Sequence, residues 1–246
     1  MKVLLFLIST VVPNISVAAF AIEGCAELKE RNAATGNDDT LQSPPDQAFW
    51  IKVRDAYVES VGQDESTIDW TPSSSKNDSG TEHLSGFMIP IEVKITPGKG
   101  RSVHTKHFVP KGTPVWGSKY FALFHSERSQ EQFETFLTKL TWEESCDVLQ
   151  WCFAWIDDDY DGDDGPIVAC SLDENSLMNH GELGESNIAY DHELHVDVAL
   201  RDIQAGEELT EDYNEYDEDL EWFDNLARKA WGDKTWSQAS SGTTEL

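Results

Sequence analysis

Apolar and polar positions divide the chain into a polar N-terminal region and a longer region of short strand-like segments. Residues 22–84 are mostly polar and are interrupted by turn-forming clusters of Gly, Asn, Asp, Pro and Ser. One island in this region, residues 47–61, has apolar residues at helix-like spacing: Phe49, Val53, Tyr57 and Val61. The pattern predicts an acidic, partly ordered extension that contains one helix.

Beyond residue 85 the apolar residues come in short runs separated by Gly and Pro, which is typical of β-strands. The runs occupy residues 87–91, 93–95, 103–109, 121–124 and 196–200. Two further apolar runs, 151–156 and 167–172, flank an acidic loop and predict a β-hairpin.

Two later segments have helical spacing. Residues 129 to about 152 place their apolar side chains on one face. A shorter helix after residue 213 contains Leu220, Trp222, Phe223 and Leu226. Many short strands with a helical insertion at 125–152 predict an α+β domain that is mostly β.

The chain is strongly acidic, with a formal net charge of -28 over 246 residues. This charge repels nucleic-acid phosphates and anionic membranes, so direct binding to either is not expected. It attracts basic partners such as a Lys-rich protein segment, although acidity also serves solubility alone. The hydrophobic content of 39%, with nine Trp and eleven Phe, excludes wholesale disorder.

The N-terminal residues 1–21 have the pattern of a targeting peptide. Lys2 precedes an apolar stretch at 3–12, and small residues at 17–19 offer a cleavage site. The stretch is too short to span a bilayer, and no other segment approaches the roughly 20 apolar residues required. The pattern predicts entry into the secretory route or a plastid, with the nucleus as the alternative if translation starts elsewhere.

Four cysteines, Cys25, Cys146, Cys152 and Cys170, lack the paired spacing of a structural zinc site. In an oxidising compartment they would form up to two disulfides, with three connectivities open. Most of them lie in apolar surroundings, so buried free thiols fit the sequence at least as well.

Two other features partly resemble metal sites. The acidic loop 157–165 matches the first half of an EF-hand calcium loop, but Val168 replaces the bidentate Glu that closes such loops, so a solvated hairpin turn fits better. The histidines are scattered, and the close pairs lie in strand-like runs, where a three-residue offset points side chains to opposite faces. No metal site is predicted. The histidines concerned are His104, His107, His125, His192 and His195.

Three motifs carry candidate chemistry. A Gly-rich turn, Gly98-Lys99-Gly100, precedes a strand-like segment. The second motif ends in Met178-Asn179-His180, and the third runs from Ala199 to Tyr213 with the sequence ALRDIQAGEELTEDY. In this order and at this spacing they resemble the SET-domain protein-lysine methyltransferases over residues 85–216.

The resemblance implies a SET-domain fold of several short-stranded sheets, with the extension 22–84 before it and a helix and polar tail at 217–246 after it. It also implies an enzyme that uses S-adenosylmethionine to methylate lysine side chains. The substrate would be a basic protein or peptide that bears the target lysine.

By the same resemblance Tyr213 would be the catalytic residue, with its hydroxyl near the methyl group and the amine. The Gly turn would hold the amino-acid end of the cofactor, because glycine allows close approach. Asn179 and His180 would hold the cofactor on its other side. Trp222 or Phe223 would cover the adenine, although both residues fit a helix core equally well. The cofactor-binding set is Gly98, Lys99, Gly100, Asn179, His180, Trp222 and Phe223.

Two departures from the family pattern bear on activity. The usual Asn-His-Ser-Cys-x-Pro-Asn is replaced after His180 by a different loop that reaches Asn187, and Glu211 stands where an aromatic residue often lines the lysine channel. The sequence therefore leaves open a SET-like protein-binding module without activity. A third hypothesis, an acidic secreted cation-binding protein, depends on the loop at 157–165.

Overall fold

The computed structural model describes residues 24–27, 43–68, 85–97, 99–125, 127–156, 166–181, 184–215 and 219–232. Several sequence-based hypotheses lie outside these ranges. They concern the targeting peptide, the calcium-type loop at 157–165, the polar tail and Gly98.

The described ranges contain helices at both ends and many short strands between them. The helices are α1 (Gln47–Val61), α2 (Ser129–Thr138), α3 (Trp142–Leu149) and α4 (Glu221–Trp231). The strands are β1 (Ile91–Thr96), β2 (Gly100–Thr105), β3 (Pro114–Trp116), β4 (Phe121–Phe124), β5 (Cys152–Trp155), β6 (Ile167–Ser171), β7 (Asn179–His180), β8 (Ile188–Asp191), β9 (Val196–Ala199) and β10 (Thr210–Glu211). This is the predicted α+β class with a predominance of short strands.

The strands form several small sheets. β1 and β2 form an antiparallel hairpin, and β7 pairs with β10 in parallel. Two three-stranded sheets have the orders β3-β9-β8 and β4-β6-β5. β5 and β6 pair antiparallel, which confirms the predicted hairpin around the acidic loop.

The predicted helix at 47–61 is α1, and it belongs to the hydrophobic core. Asp46 caps it by accepting a hydrogen bond from the Phe49 amide at 2.8 Å. Trp50, Val53 and Tyr57 are fully buried, and the Tyr57 ring meets the Phe124 ring edge-on at 5.2 Å. The polar flanks of this helix gave no sign that it packs against β4.

The single helical segment predicted at 129–152 is wrong in its extent, because the chain forms two helices there. The capping box at Thr141 starts α3: its hydroxyl accepts from the Glu144 amide, and the Glu144 carboxylate accepts from the Thr141 amide. A chain capped in this way cannot continue the preceding helix. Cys152, predicted on the helical face, lies in β5 instead.

All four cysteines are in disulfides, so the alternative of buried free thiols is wrong. Cys25 pairs with Cys146 across 121 residues of sequence, and Cys152 pairs with Cys170 across 18. The first bond joins the segment 24–27 to α3, and the second joins β5 to β6.

A membrane-spanning helix would need more length and apolar character than any helix in the described ranges has.

Asp173 is a buried polar centre next to β6. Its carboxylate accepts hydrogen bonds from the Gly86 amide at 2.6 Å and from the Trp116 indole at 3.0 Å. Burial, followed by the charge of Glu174, raises the pKa of Asp173 to about 6, and these hydrogen bonds oppose the rise. The nearby Arg54 guanidinium also favours the carboxylate. Burial therefore outweighs these attractions.

We predict a specific pH dependence of stability from Asp173. A raised pKa means that the folded protein holds the proton more tightly than the unfolded chain, so the contribution of Asp173 is fully present well below its unfolded pKa and is lost as the pH rises through its folded pKa of about 6. A shift from 3.8 to about 6 corresponds to about 3 kcal/mol. The unfolding free energy of the wild type relative to Asp173→Asn should fall by about 3 kcal/mol between about pH 3 and about pH 7, as measured by urea denaturation. A difference that stays constant with pH would contradict the assignment.

Candidate active site

The parallel pair β7–β10 brings the second and third motifs together. Asn179 lies opposite Thr210, and His180 lies opposite Glu211. The Gly181 amide continues the pairing by donating to the Glu211 carbonyl at 2.9 Å. Residues about 30 positions apart in sequence thus become neighbours at one point of the fold.

Tyr213 is attached to the second motif at two points. Its backbone N–H donates to Nδ1 of His180 at 3.1 Å, and its hydroxyl donates to the carbonyl oxygen of Met178. The His180 and Tyr213 rings lie 5.4 Å apart. The side chain therefore has a fixed direction, with its hydroxyl beside the start of β7.

The hydroxyl of Tyr213 lies in a partly buried, acidic environment. Although 38% of the residue is exposed, the hydroxyl end is directed inward to the Met178 carbonyl. Burial of this group, together with the negative charges of Glu211 and Glu208, raises the pKa of Tyr213 far above its ordinary value. The hydroxyl thus stays protonated at neutral pH and can orient a reacting group but cannot act as a base.

Asn179 connects the second motif to the Gly-rich turn. Its Nδ2 donates to the Arg101 carbonyl at 3.1 Å and to Oε1 of Glu208 at 2.8 Å. Lys99 places its Nζ 3.0 Å from the other oxygen of Glu208. Lys99 and Asn179 thus converge on Glu208, a residue inside the third motif to which sequence reasoning assigned no role.

Gly100 is needed for its backbone conformation. It begins β2 with φ of +79°, a region that other residues rarely adopt. A Cβ added there would meet no protein atom within 4 Å. Among the described residues, therefore, no protein group fills the space beside Gly100.

Arg101 ties the same strand to α3 through a buried ion pair. Both terminal nitrogens of its guanidinium donate to the Asp147 carboxylate, and each side chain is only 9% exposed. The guanidinium also lies 5.2 Å from the centre of the Trp151 ring. Burial raises the pKa of Asp147, against the opposing effect of Arg101. This pairing could not be predicted from the sequence, because 46 residues separate its partners.

The altered loop after His180 returns to the site at Asn187. The Asn187 side chain donates to the Glu208 carbonyl at 2.7 Å and accepts from the Thr210 amide at 2.9 Å. At Gly181 a Cβ would lie 2.7 Å from the Ser186 hydroxyl, so the loop passes where only glycine fits. Residues 182 and 183 lie outside the described ranges. The changed sequence is therefore compatible with the β7–β10 pairing.

Trp222 and Phe223 lie on α4 and pack against α2. Phe223 is 2% exposed, and its ring lies 5.6 Å from that of Phe133. Trp222 is partly buried and lies 5.9 Å from the same ring. The ring contacts of these two residues thus join α4 to the core, whereas Asn179, His180 and Tyr213 contact one another.

Both close histidine pairs are placed differently from expectation, and His107 lies in a bend after β2. His192 and His195 lie in the turn between β8 and β9, where His195 has φ of +53°, and not in a strand. His104 does lie in β2, with Nδ1 3.0 Å from the Gly206 carbonyl. In the part of the chain that the structure describes, no group of three or more His, Cys, Asp or Glu side chains is arranged to hold a metal ion.

Comparisons with known proteins place these features in a family. Residues 100–214 match the SET domain, and no curated protein matches the chain. Among solved structures, the chain is similar to the Neurospora SET domain protein DIM-5, a histone lysine methyltransferase, with 18% identity, 55% of this chain covered and a TM-score of 0.36. The chain spans 56% of the length of that protein.

A second similar structure is CpSET8 from Cryptosporidium, with 14% identity over 80% of this chain and 94% of that one, and a TM-score of 0.36. Similarities this low carry no argument about function. The assignment depends on the family match, which begins at Gly100 and ends one residue beyond Tyr213. Residues 100–214 of the chain are a SET domain.

Proposed function

We propose that this SET domain transfers a methyl group from S-adenosylmethionine to a lysine side chain of a protein substrate. The observation that carries the proposal is the double attachment of Tyr213 to the Met178–His180 segment. A tyrosine held in this way can direct a nucleophile to one point beside the start of β7. Such positioning is the main requirement of an in-line methyl transfer, because orientation alone supplies a large share of the rate enhancement.

The residues around Gly100 fit the amino-acid end of S-adenosylmethionine. Both protons of the Asn179 amide are engaged by Arg101 and Glu208, which leaves its Oδ1 as an acceptor for an ammonium group. The Lys99 ammonium is half-exposed and suits a carboxylate. Beside them is the space that the missing side chain of Gly100 leaves. When bound, the cofactor would supply an electrophilic sulfonium methyl group.

The remaining chemistry belongs to the chain and to the substrate. Only a neutral amine can attack, so the substrate lysine must first lose its proton to solvent. The N–C bond would then form as the S–C bond of the sulfonium breaks, and S-adenosylhomocysteine would leave. The protonated Tyr213 hydroxyl would accept a hydrogen bond from this amine and turn its lone pair toward the methyl group. The charge of -28 would draw a basic substrate segment to the protein over long range.

The test is methyl transfer with the full-length protein. It is incubated with methyl-labelled S-adenosylmethionine and a mixture of Lys-rich proteins, and label is counted in lysine after hydrolysis. We expect label in monomethyl-lysine or in a higher methylation state. Calorimetry with S-adenosylhomocysteine, run in parallel, separates the outcomes. Binding without transfer to any substrate would favour the inactive binding module, and the absence of both would refute the proposal.

A further inference from the structure

Glu208 occupies the centre of the candidate cofactor site. Its two carboxylate oxygens have different partners: Oε1 accepts from Asn179, and Oε2 accepts from Lys99. These partners come from β7 and from the β1–β2 turn, which reach the site from different parts of the chain. Glu208 is the side chain through which they are joined.

The contact with Glu208 determines which way the Asn179 amide faces. An amide has one donor end and one acceptor end, and its two orientations are nearly equal in shape. A carboxylate accepts but cannot donate, so Oε1 of Glu208 selects the orientation in which Nδ2 faces inward. The Arg101 carbonyl makes the same selection, and Oδ1 is left as the free acceptor.

The contact with Lys99 restrains a long and half-exposed side chain. The Lys99 side chain is 47% exposed, whereas that of Glu208 is only 16% exposed. A lysine that is otherwise free loses much conformational entropy when it binds a ligand. An ion pair that already holds Nζ near the Gly turn lowers this cost.

The backbone of Glu208 holds the fold independently of its side chain. Its carbonyl accepts the Asn187 side-chain amide at 2.7 Å, and residue 208 forms a β-bridge with His104. Both contacts survive any substitution of the side chain. The carboxylate is therefore available for a role in the site that is separate from the stability of the third motif.

We propose that Glu208 is a positioning residue for the amino-acid end of S-adenosylmethionine, acting through Asn179 and Lys99. This inference depends on the proposed function. It predicts a selective defect: a ligand with an amino-acid end should bind less well when the carboxylate is removed, and a ligand without that end should not. S-Adenosylhomocysteine and 5′-methylthioadenosine form such a pair, because the latter lacks the amino-acid end.

The experiment compares Glu208→Ala and Glu208→Gln with the wild type by calorimetry against both ligands. We expect Glu208→Ala to weaken S-adenosylhomocysteine about tenfold, since two contacts to a charged group are lost. Glu208→Gln should weaken it about threefold, because an amide oxygen can still accept from Asn179. Binding of 5′-methylthioadenosine should stay within about twofold in both variants.

Glu207→Gln is the matched control. The Glu207 carboxylate contacts Arg201, the Gln204 amide and the side chain of Asn187. Asn187 keeps its hydrogen bonds to the Glu208 carbonyl and the Thr210 amide when Glu207 becomes Gln, so this variant should bind both ligands as the wild type does. Turnover gives a second measure: Glu208→Ala should raise KM for S-adenosylmethionine about tenfold and leave kcat within about threefold.

The two possible failures differ in their results. If the wild type does not bind S-adenosylhomocysteine, the proposed function itself is refuted. If the wild type binds it and Glu208→Ala binds it equally well, only the positioning role is refuted. Equal losses for both ligands, accompanied by a lower Tm, would also overturn that role, because they indicate a merely structural residue.

Discussion

Tyr213→Phe is expected to lower kcat for methyl transfer about 100-fold or more and to leave the affinity for S-adenosylhomocysteine within about twofold. The substitution removes one oxygen and keeps the ring that lies 5.4 Å from His180. It also keeps the backbone N–H that donates to His180. The loss is therefore confined to the hydroxyl, whose place in the proposed mechanism is beside the attacking amine. Single-turnover methylation and calorimetry on the same preparation measure the two quantities.

Tyr190→Phe is the control for this experiment. Tyr190 is a partly exposed tyrosine on β8, and its hydroxyl lies 3.3 Å from Nδ1 of His195. Its hydroxyl should be dispensable for methylation. If Tyr213→Phe retained more than about a third of the wild-type kcat, Tyr213 would not orient the amine. The site would then need another residue for that role.

The stability of Tyr213→Phe deserves a separate measurement. The Met178 carbonyl loses its partner, which costs about 1–3 kcal/mol if no water replaces the hydroxyl. A domain that remains folded after this loss would still bind S-adenosylhomocysteine. Loss of both binding and the unfolding transition would instead mean that the hydroxyl is structural.

Local features of the fold were predictable from the sequence because their causes lie within a few residues. The spacing of Phe49, Val53 and Tyr57 indicated α1, and the alternation at 196–200 indicated β9. The candidate site was proposed for a different reason, because its parts lie in short motifs whose resemblance to a known family assigns roles to Asn179, His180 and Tyr213. In the fold, the β7–β10 pairing and the hydrogen bond from Tyr213 to His180 bring these motifs together, and the roles themselves stay predictions.

Long-range partners could not be predicted from the sequence. Asp147 lies in a helix whose sequence explains its capping and its apolar face, and nothing nearby indicates that its carboxylate meets Arg101. A charged residue on an amphipathic helix is ordinarily solvent-exposed. Similarly, four cysteines allow three pairings, and spacing cannot choose among them. The folded chain makes these choices by bringing β2 and the segment 24–27 against α3.

Helix α3 links the Cys25–Cys146 disulfide to the candidate cofactor site. Cys146 is followed directly by Asp147, which holds Arg101, and the carbonyl of Arg101 accepts from Asn179. Every link in this chain is a direct covalent or hydrogen-bonded contact. The N-terminal segment that carries Cys25 thus supports the strand that borders the candidate cofactor site.

The double variant Cys25→Ser/Cys146→Ser is therefore expected to lose about 5 kcal/mol of unfolding free energy, the largest loss for any change considered above. The disulfide closes a loop of 121 residues, and the entropy that it removes from the unfolded chain grows with loop length. Guanidinium denaturation of the oxidised proteins measures this loss.

Cys152→Ser/Cys170→Ser provides the matched control, since it also removes one buried disulfide but opens a loop of only 18 residues. It should cost about 3 kcal/mol by the same argument. The pairing is tested by the difference in lost unfolding free energy between the two double variants, and not by either loss alone. Equal losses would show that loop length does not determine how much each disulfide stabilises the protein. If a variant of Cys25 alone left Cys146 unreactive toward thiol reagents and the stability unchanged, these two cysteines would not be bonded.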